Sequence, residues 1–177
     1  MLMIDFQLSD IREENEVGIA LPGIDETLEI GKGKVIKEGK QAAILSFGGR
    51  LQECLKASEI LSSKGVKVTI IDARFAKPLD EKLIMEIAAN HEVVVSIEEG
   101  SVGGFGSHVM QLLSNRGVFD KGLKFRAMIL PDQFIDQDDP KKMYEKAGLD
   151  SDAIVNTIEN ALNSNVVIAQ NKNKSSN

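Results

Sequence analysis

Four short apolar runs, each followed by a turn and an amphipathic helical stretch, constrain what this chain can fold into more than any other feature. AAILSF, residues 42 to 47, ends in Gly48-Gly49, after which Leu51, Cys54, Leu55, Ser58 and Leu61 recur at helical spacing. VKVTIID, residues 66 to 72, leads to LDEKLIMEIAANH, with Asp80 as N-cap and Leu83, Ile84, Ile87 and Ala88 on one face. EVVVSI, residues 92 to 97, passes through a glycine-rich stretch into SHVMQLLSN, whose Val109, Leu112 and Leu113 form a helical stripe. LKFRAMIL, residues 123 to 130, is the fourth run; Asp139-Pro140 then opens a helix over KKMYEKAG that Gly148 ends. A last helix starts at Asp150 or Ser151 and turns Ile154, Val155, Ile158 and Leu162 inward.

Strands that lack polar alternation are buried on both faces, which demands a helical layer on each side. The expected fold is therefore α/β, a three-layer α/β/α sandwich around a mostly parallel sheet of about five strands. KVIK, Lys34 to Lys37, sits between glycines as an edge strand that can run antiparallel. This gives one domain over residues 28 to 163. Residues 1 to 27, acidic and weakly patterned, read as a lead-in or linker remnant, and residues 164 to 177 as a disordered tail. The 27 acidic against 21 basic side chains give a net charge of -6, which opposes nucleic-acid binding. One cysteine excludes an internal disulfide, MLMIDFQLSD lacks the pattern of a secretory signal, and no apolar run nears the roughly 20 residues that span a bilayer. A cytoplasmic protein is expected.

Three stretches invite chemistry. SIEEGSVGGFGSHV, residues 96 to 109, fails the dinucleotide fingerprint, because G-x-G-x-x-G counted from Gly104 meets Val109, and no P-loop lysine follows. Its glycines suit a tight turn that brings the next helix close to the sheet, at the carboxyl end of a strand where α/β folds present ligand and partner surfaces. Glu98 and Glu99 point to opposite faces as neighbours in a strand do, so ordinary solvated or loop-anchoring roles fit better than a shared acid/base role. His108 can serve as a proton shuttle or anion ligand, or as a packed or partner-facing side chain. His91 ends a helix, where it can cap the dipole. In DARFAKPLD, residues 72 to 80, Asp72, Arg74 and Lys77 form either an anion site or a salt-bridged loop that fixes the domain against a neighbour. LPDQFIDQDDP, residues 130 to 140, lacks the ligand spacing of a metal loop and reads as an interface loop anchored by Phe134. Two histidines and one cysteine form no metal-ligand pattern.

DARFAKPLD, IEEGSVGGFGSHV and LPDQFIDQDDPKKMYEKAGLD closely resemble, in order and spacing, the carboxy-terminal, transketolase C-terminal-like domain of 1-deoxy-D-xylulose-5-phosphate synthase. LEIGKGKVIKEGKQAAILSFGGRLQECLKA resembles the start of that domain, and the likeness runs over about residues 28 to 162. The resemblance implies an enzyme that joins pyruvate to glyceraldehyde 3-phosphate with loss of carbon dioxide, using thiamine diphosphate and magnesium, in isoprenoid and thiamine precursor synthesis. In that family the cofactor performs the carbanion chemistry. The full enzyme is a homodimer of three-domain chains, and its carboxy-terminal domain is mainly structural and dimerising.

The chain contains no G-D-G, the start of the family's magnesium and diphosphate motif, and it lacks the domain whose glutamate activates the cofactor. The family segment R-Y-P-R-G supplies an arginine to the substrate phosphate; in LSDIREENEVGIALPG only Arg12 stands near that role, one residue too far from Val17-Gly18. The expectation is a carboxy-terminal portion that is inactive alone, binds no cofactor by itself and assembles with a chain or domains supplying the thiamine sites, with homodimerisation as a further option. Arg74, Lys77, Glu99, His108 and Phe134 are then candidates for contacts with that partner or beside its cofactor, not for catalysis. The alternative is a stand-alone binding or regulatory domain for a small anionic metabolite, held by Arg74, Lys77 and His108.

Overall fold

The computed structural model describes residues 27 to 164; Arg12 and all but one residue each of the lead-in and the tail lie outside the described residues. Five strands, β1 (Lys34–Lys37), β2 (Ala42–Phe47), β3 (Val68–Asp72), β4 (Val93–Glu98) and β5 (Lys124–Met128), form one sheet in the order β1-β3-β2-β4-β5. β2, β3, β4 and β5 are parallel, while β1 pairs antiparallel with β3 and shifts register between Val35 and Lys37. The parallel core is as the sequence predicts, and the edge strand takes the antiparallel direction that the sequence allows.

Five α-helices among the described residues cover the sheet: α1 (Leu51–Ser63), α2 (Glu81–Asn90), α3 (Phe105–Asn115), α4 (Pro140–Ala147) and α5 (Ser151–Asn163). The sheet's alternation divides the core in two. Ala42 and Ile44 of β2 face one layer with Val68, Ile70, Val93 and Val95, against Cys54, Ala57 and Leu61 of α1 and Ile154 and Ile158 of α5. Ala43 and Leu45 face the other, with Ile71 and Val94, against Ile84 and Ile87 of α2 and Phe105, Val109 and Leu113 of α3. The central strand is buried along both faces, which explains its unbroken apolar run.

Helix ends follow their local chemistry. Asp80 accepts a hydrogen bond from the Leu83 N–H and Asp150 one from the Ala153 N–H, at 3.1 and 2.8 Å. Asp139 caps α4, whose first residue is Pro140, and Gly148 closes it with φ of 70°. His91 Nδ1 lies 2.9 Å from the Ile87 carbonyl; a carbonyl only accepts, so this nitrogen carries the hydrogen and caps the end of α2.

The chain leaves β2 through α1 on one face to reach β3, then crosses back through α2 on the other face to reach β4. The winding therefore reverses between the carboxyl ends of β2 and β4, where doubly wound sheets open a crevice. Among the described residues no helix is long and apolar enough to cross a membrane.

Candidate functional site at the carboxyl edge

Two adjacent glutamates meet at the reversal point and turn opposite ways. Glu98, the last residue of β4, is 4% exposed and accepts hydrogen bonds from the Phe105 and Gly106 N–H groups at 3.0 and 2.8 Å. Those are the first two residues of α3, so the anion seat made by that helix start is filled by the chain's own carboxylate. The glycines make this possible. A Cβ at Gly100 would stand 2.6 Å from Glu98 Oε2, one at Gly104 would overlap the same carboxylate, and one at Gly106 would stand 2.7 Å from Ser96 Oγ. Close approach of backbone to a buried carboxylate, more than turn geometry alone, is what requires glycine here.

Glu99 points to the other layer and meets Arg50, with Nε and Oε1 2.8 Å apart and side-chain exposures of 14% and 18%. The Nε–H is not directed along this contact, so charge attraction holds the pair more than a well-aimed hydrogen bond. The Arg50 guanidinium also lies over the Tyr144 ring, 3.5 Å from its centre. Arg50 follows β2, Glu99 follows β4 and Tyr144 belongs to α4, so this trio spans the crevice and ties α4 to it.

At the end of β3, the Arg74 backbone N–H and side-chain Nε donate to Asp72 at 3.2 and 3.3 Å. Arg74 adopts φ of 59°, which folds it back on Asp72, and the Lys77-Pro78 bond is cis. Burial raises the Asp72 carboxyl above its ordinary value, and Arg74 opposes that rise. Lys77 is exposed and His108 half-buried, and neither makes a hydrogen bond or ion pair through its side chain among the described residues. The structure thus pairs Arg74 locally, and shows no hydrogen-bonded cluster joining Lys77 and His108 to it. Burial pushes the Cys54 thiol up to about 12, which makes it a packing group and not a nucleophile.

The loops after β4 and β5 are joined where the Leu130 N–H donates to the Gly100 carbonyl at 2.9 Å. From that tie each projects an apolar side chain outward: Val102 is 80% exposed and Phe134 is 93% exposed. Ile135, the next residue, is half-buried. Asp138 accepts from the Asp139 N–H and pairs with Lys146 and Lys142, all of which hold its carboxyl below the usual range. Among the described residues no group of three or more His, Cys, Asp or Glu side chains is placed to hold a metal ion.

Sequence reasoning missed Arg50 and Tyr144. A cation directly after Gly48-Gly49, at the end of the central strand, was the available signal for Arg50; Tyr144 becomes its neighbour only when α4 folds back.

Residues 31–154 match the family model described as transketolase, C-terminal domain. Among solved structures, the chain is similar to one described as "Split gene transketolase, inactive beta4 tetramer", with 30% sequence identity and a TM-score of 0.72. The alignment covers 81% of this chain and 46% of that one, so this chain spans less than half the length of that solved relative.

Proposed function

The chain belongs to the transketolase C-terminal domain family, and from that premise we propose that it is the carboxy-terminal, assembly-serving part of a thiamine-diphosphate enzyme of the 1-deoxy-D-xylulose-5-phosphate synthase type. The observation that carries the assembly role is the carboxyl edge: its anion seat is filled by Glu98 and Arg50 pairs with Glu99 across its crevice, while Val102 and Phe134 stand exposed on the loops that follow β4 and β5. An edge whose buried charges, Glu98, Glu99 and Arg50, are satisfied internally and whose large apolar groups stand outside suits a protein neighbour better than a small anion. The synthase type rests on the wording of DARFAKPLD, IEEGSVGGFGSHV and LPDQFIDQDDP.

The described residues do not fit thiamine diphosphate or its magnesium. A diphosphate brought to the start of α3 would face the Glu98 carboxylate at the same N–H groups, and no acidic cluster is arranged for the metal. In this reading the partner holds the cofactor, and Glu99, Arg74, Lys77, His108 and Phe134 contribute contacts around it. We place the assembled enzyme in the cytoplasm, in keeping with a single buried cysteine.

The test is reconstitution. The purified chain, thiamine diphosphate, magnesium, pyruvate and glyceraldehyde 3-phosphate should give no product, and adding a chain that carries G-D-G…N and the glutamate-bearing domain should give 1-deoxy-D-xylulose 5-phosphate. Turnover by the chain alone would overturn the assembly role. Ketol transfer between sugars in the mixture, with pyruvate unused, would replace the synthase type with a transketolase. Calorimetric heat from glyceraldehyde 3-phosphate and the chain alone would favour the metabolite-binding alternative.

A further inference from the structure

The loop between β5 and α4 carries four aspartates, and the structure divides them into two pairs with different work. Asp138 is neutralised by Lys142 and Lys146, and Asp139 caps α4. Asp132 and Asp136 are exposed and have no ion pair among the described residues. They flank Phe134, whose ring is 93% exposed, and the tie between Leu130 and Gly100 sets Val102 on the adjoining loop. An aromatic side chain of this size leaves about 150–250 Å² to be covered, and nothing within the domain covers it.

We propose that Phe134, aided by Val102 on the adjoining loop, is the anchor by which this chain docks on the chain supplying the cofactor-binding domains, in an apolar recess rimmed by lysine or arginine. This rests on the assembly reading above. Charge complementarity selects the occupant. Unpaired carboxylates on both sides of the anchor repel phosphate-bearing surfaces, whether lipid or nucleic acid, and call for cations on a protein rim. The solved relative supplies the size argument: more than half of its length lies beyond the part this chain matches. The Arg50 cation, held between Glu99 and the Tyr144 ring, fixes the helix that follows the loop, so the anchor is presented from a braced base.

The experiment measures affinity between the purified full chain and the chain carrying G-D-G…N, by sedimentation or calorimetry at low and physiological salt. Phe134→Ala should weaken binding by about 10-fold or more, the loss typical of a central aromatic anchor. Asp132→Lys and Asp136→Lys should each weaken it several-fold, with the larger loss at low salt. Lys40→Glu, on the opposite edge of the sheet, should bind as the unaltered chain does. A photoreactive side chain at Gln133 should cross-link next to lysine or arginine on the partner. Unchanged affinity for Phe134→Ala and both reversals, or a cross-link to a second copy of this chain, overturns the inference. If the unaltered chain binds and reconstitutes activity while these variants do so equally, the docking surface alone is wrong. If the unaltered chain does not bind, the assembly reading falls and takes the docking surface with it.

Discussion

At position 98 a carboxylate lies almost wholly out of water, yet its charge is met by two N–H groups at a helix start. Removing it strands both donors. Glu98→Ala should destabilise the fold by about 2–4 kcal/mol, the cost of leaving two buried donors without a partner, measured by urea unfolding. Gly104→Ala tests the same contact from the other side: its new methyl would overlap the pinned carboxylate, and a loss of about 1–3 kcal/mol is expected. That Glu98 and Glu99 diverge was legible in the sequence, because strand neighbours alternate. Where each one ends was not, since Phe105 and Arg50 lie seven and 49 positions from their respective glutamates.

Among the elements, two charged contacts stitch helices to distant parts of the chain. Arg50, at the start of α1, and Glu99, directly after β4, join the loops that follow β2 and β4. A double-mutant cycle with Arg50→Met and Glu99→Gln should show a coupling of about 0.5–3 kcal/mol, as for contacting charged residues of one network; additivity within error would mean the pair contributes little. Glu53 of α1 pairs with Lys56 and accepts from the Ser151 N–H at 3.0 Å, which binds α1 to the start of α5. Burial raises its carboxyl, but Lys56 and the Ser151 N–H outweigh that and leave it below its ordinary 4.5. A lowered folded value means the stabilisation is present above pH 4.5 and is lost as pH falls through the folded value. Glu53→Gln should therefore be less stable than the unaltered chain at pH 7, by about 1 kcal/mol, and the gap should close in acid, as followed by urea unfolding at pH 7 and below. Helix positions were readable from 3.6-residue spacing and from capping residues such as Asp80, Asp139 and Asp150. The side chains that link one helix to another were not, because Glu53 and Ser151 are 98 positions apart.

For the whole molecule, docking on a partner has a thermodynamic signature apart from activity. A partner that binds only the folded chain raises its unfolding free energy by about 2.7 kcal/mol at 100 times the dissociation constant, so the melting temperature should climb with partner concentration. A melting temperature indifferent to that partner would count against assembly. The sequence by itself determined the layered α/β architecture, because strands such as AAILSF without polar alternation must be covered on both faces and the helical stripes supply the cover. It also determined most helix ends, since those depend on residues within a turn of one another, and it allowed an antiparallel edge that only the pairing of Lys34 with Asp72 decided. Only the tertiary structure decided what the glycine-rich stretch does. The reversal of winding between β2 and β4 brings Arg50, Glu98, Glu99 and Tyr144 to one crevice and fills it from within, leaving Val102 and Phe134 outside. Such a site is set by three-dimensional crossing of the chain, and no local pattern encodes which distant charge will meet which.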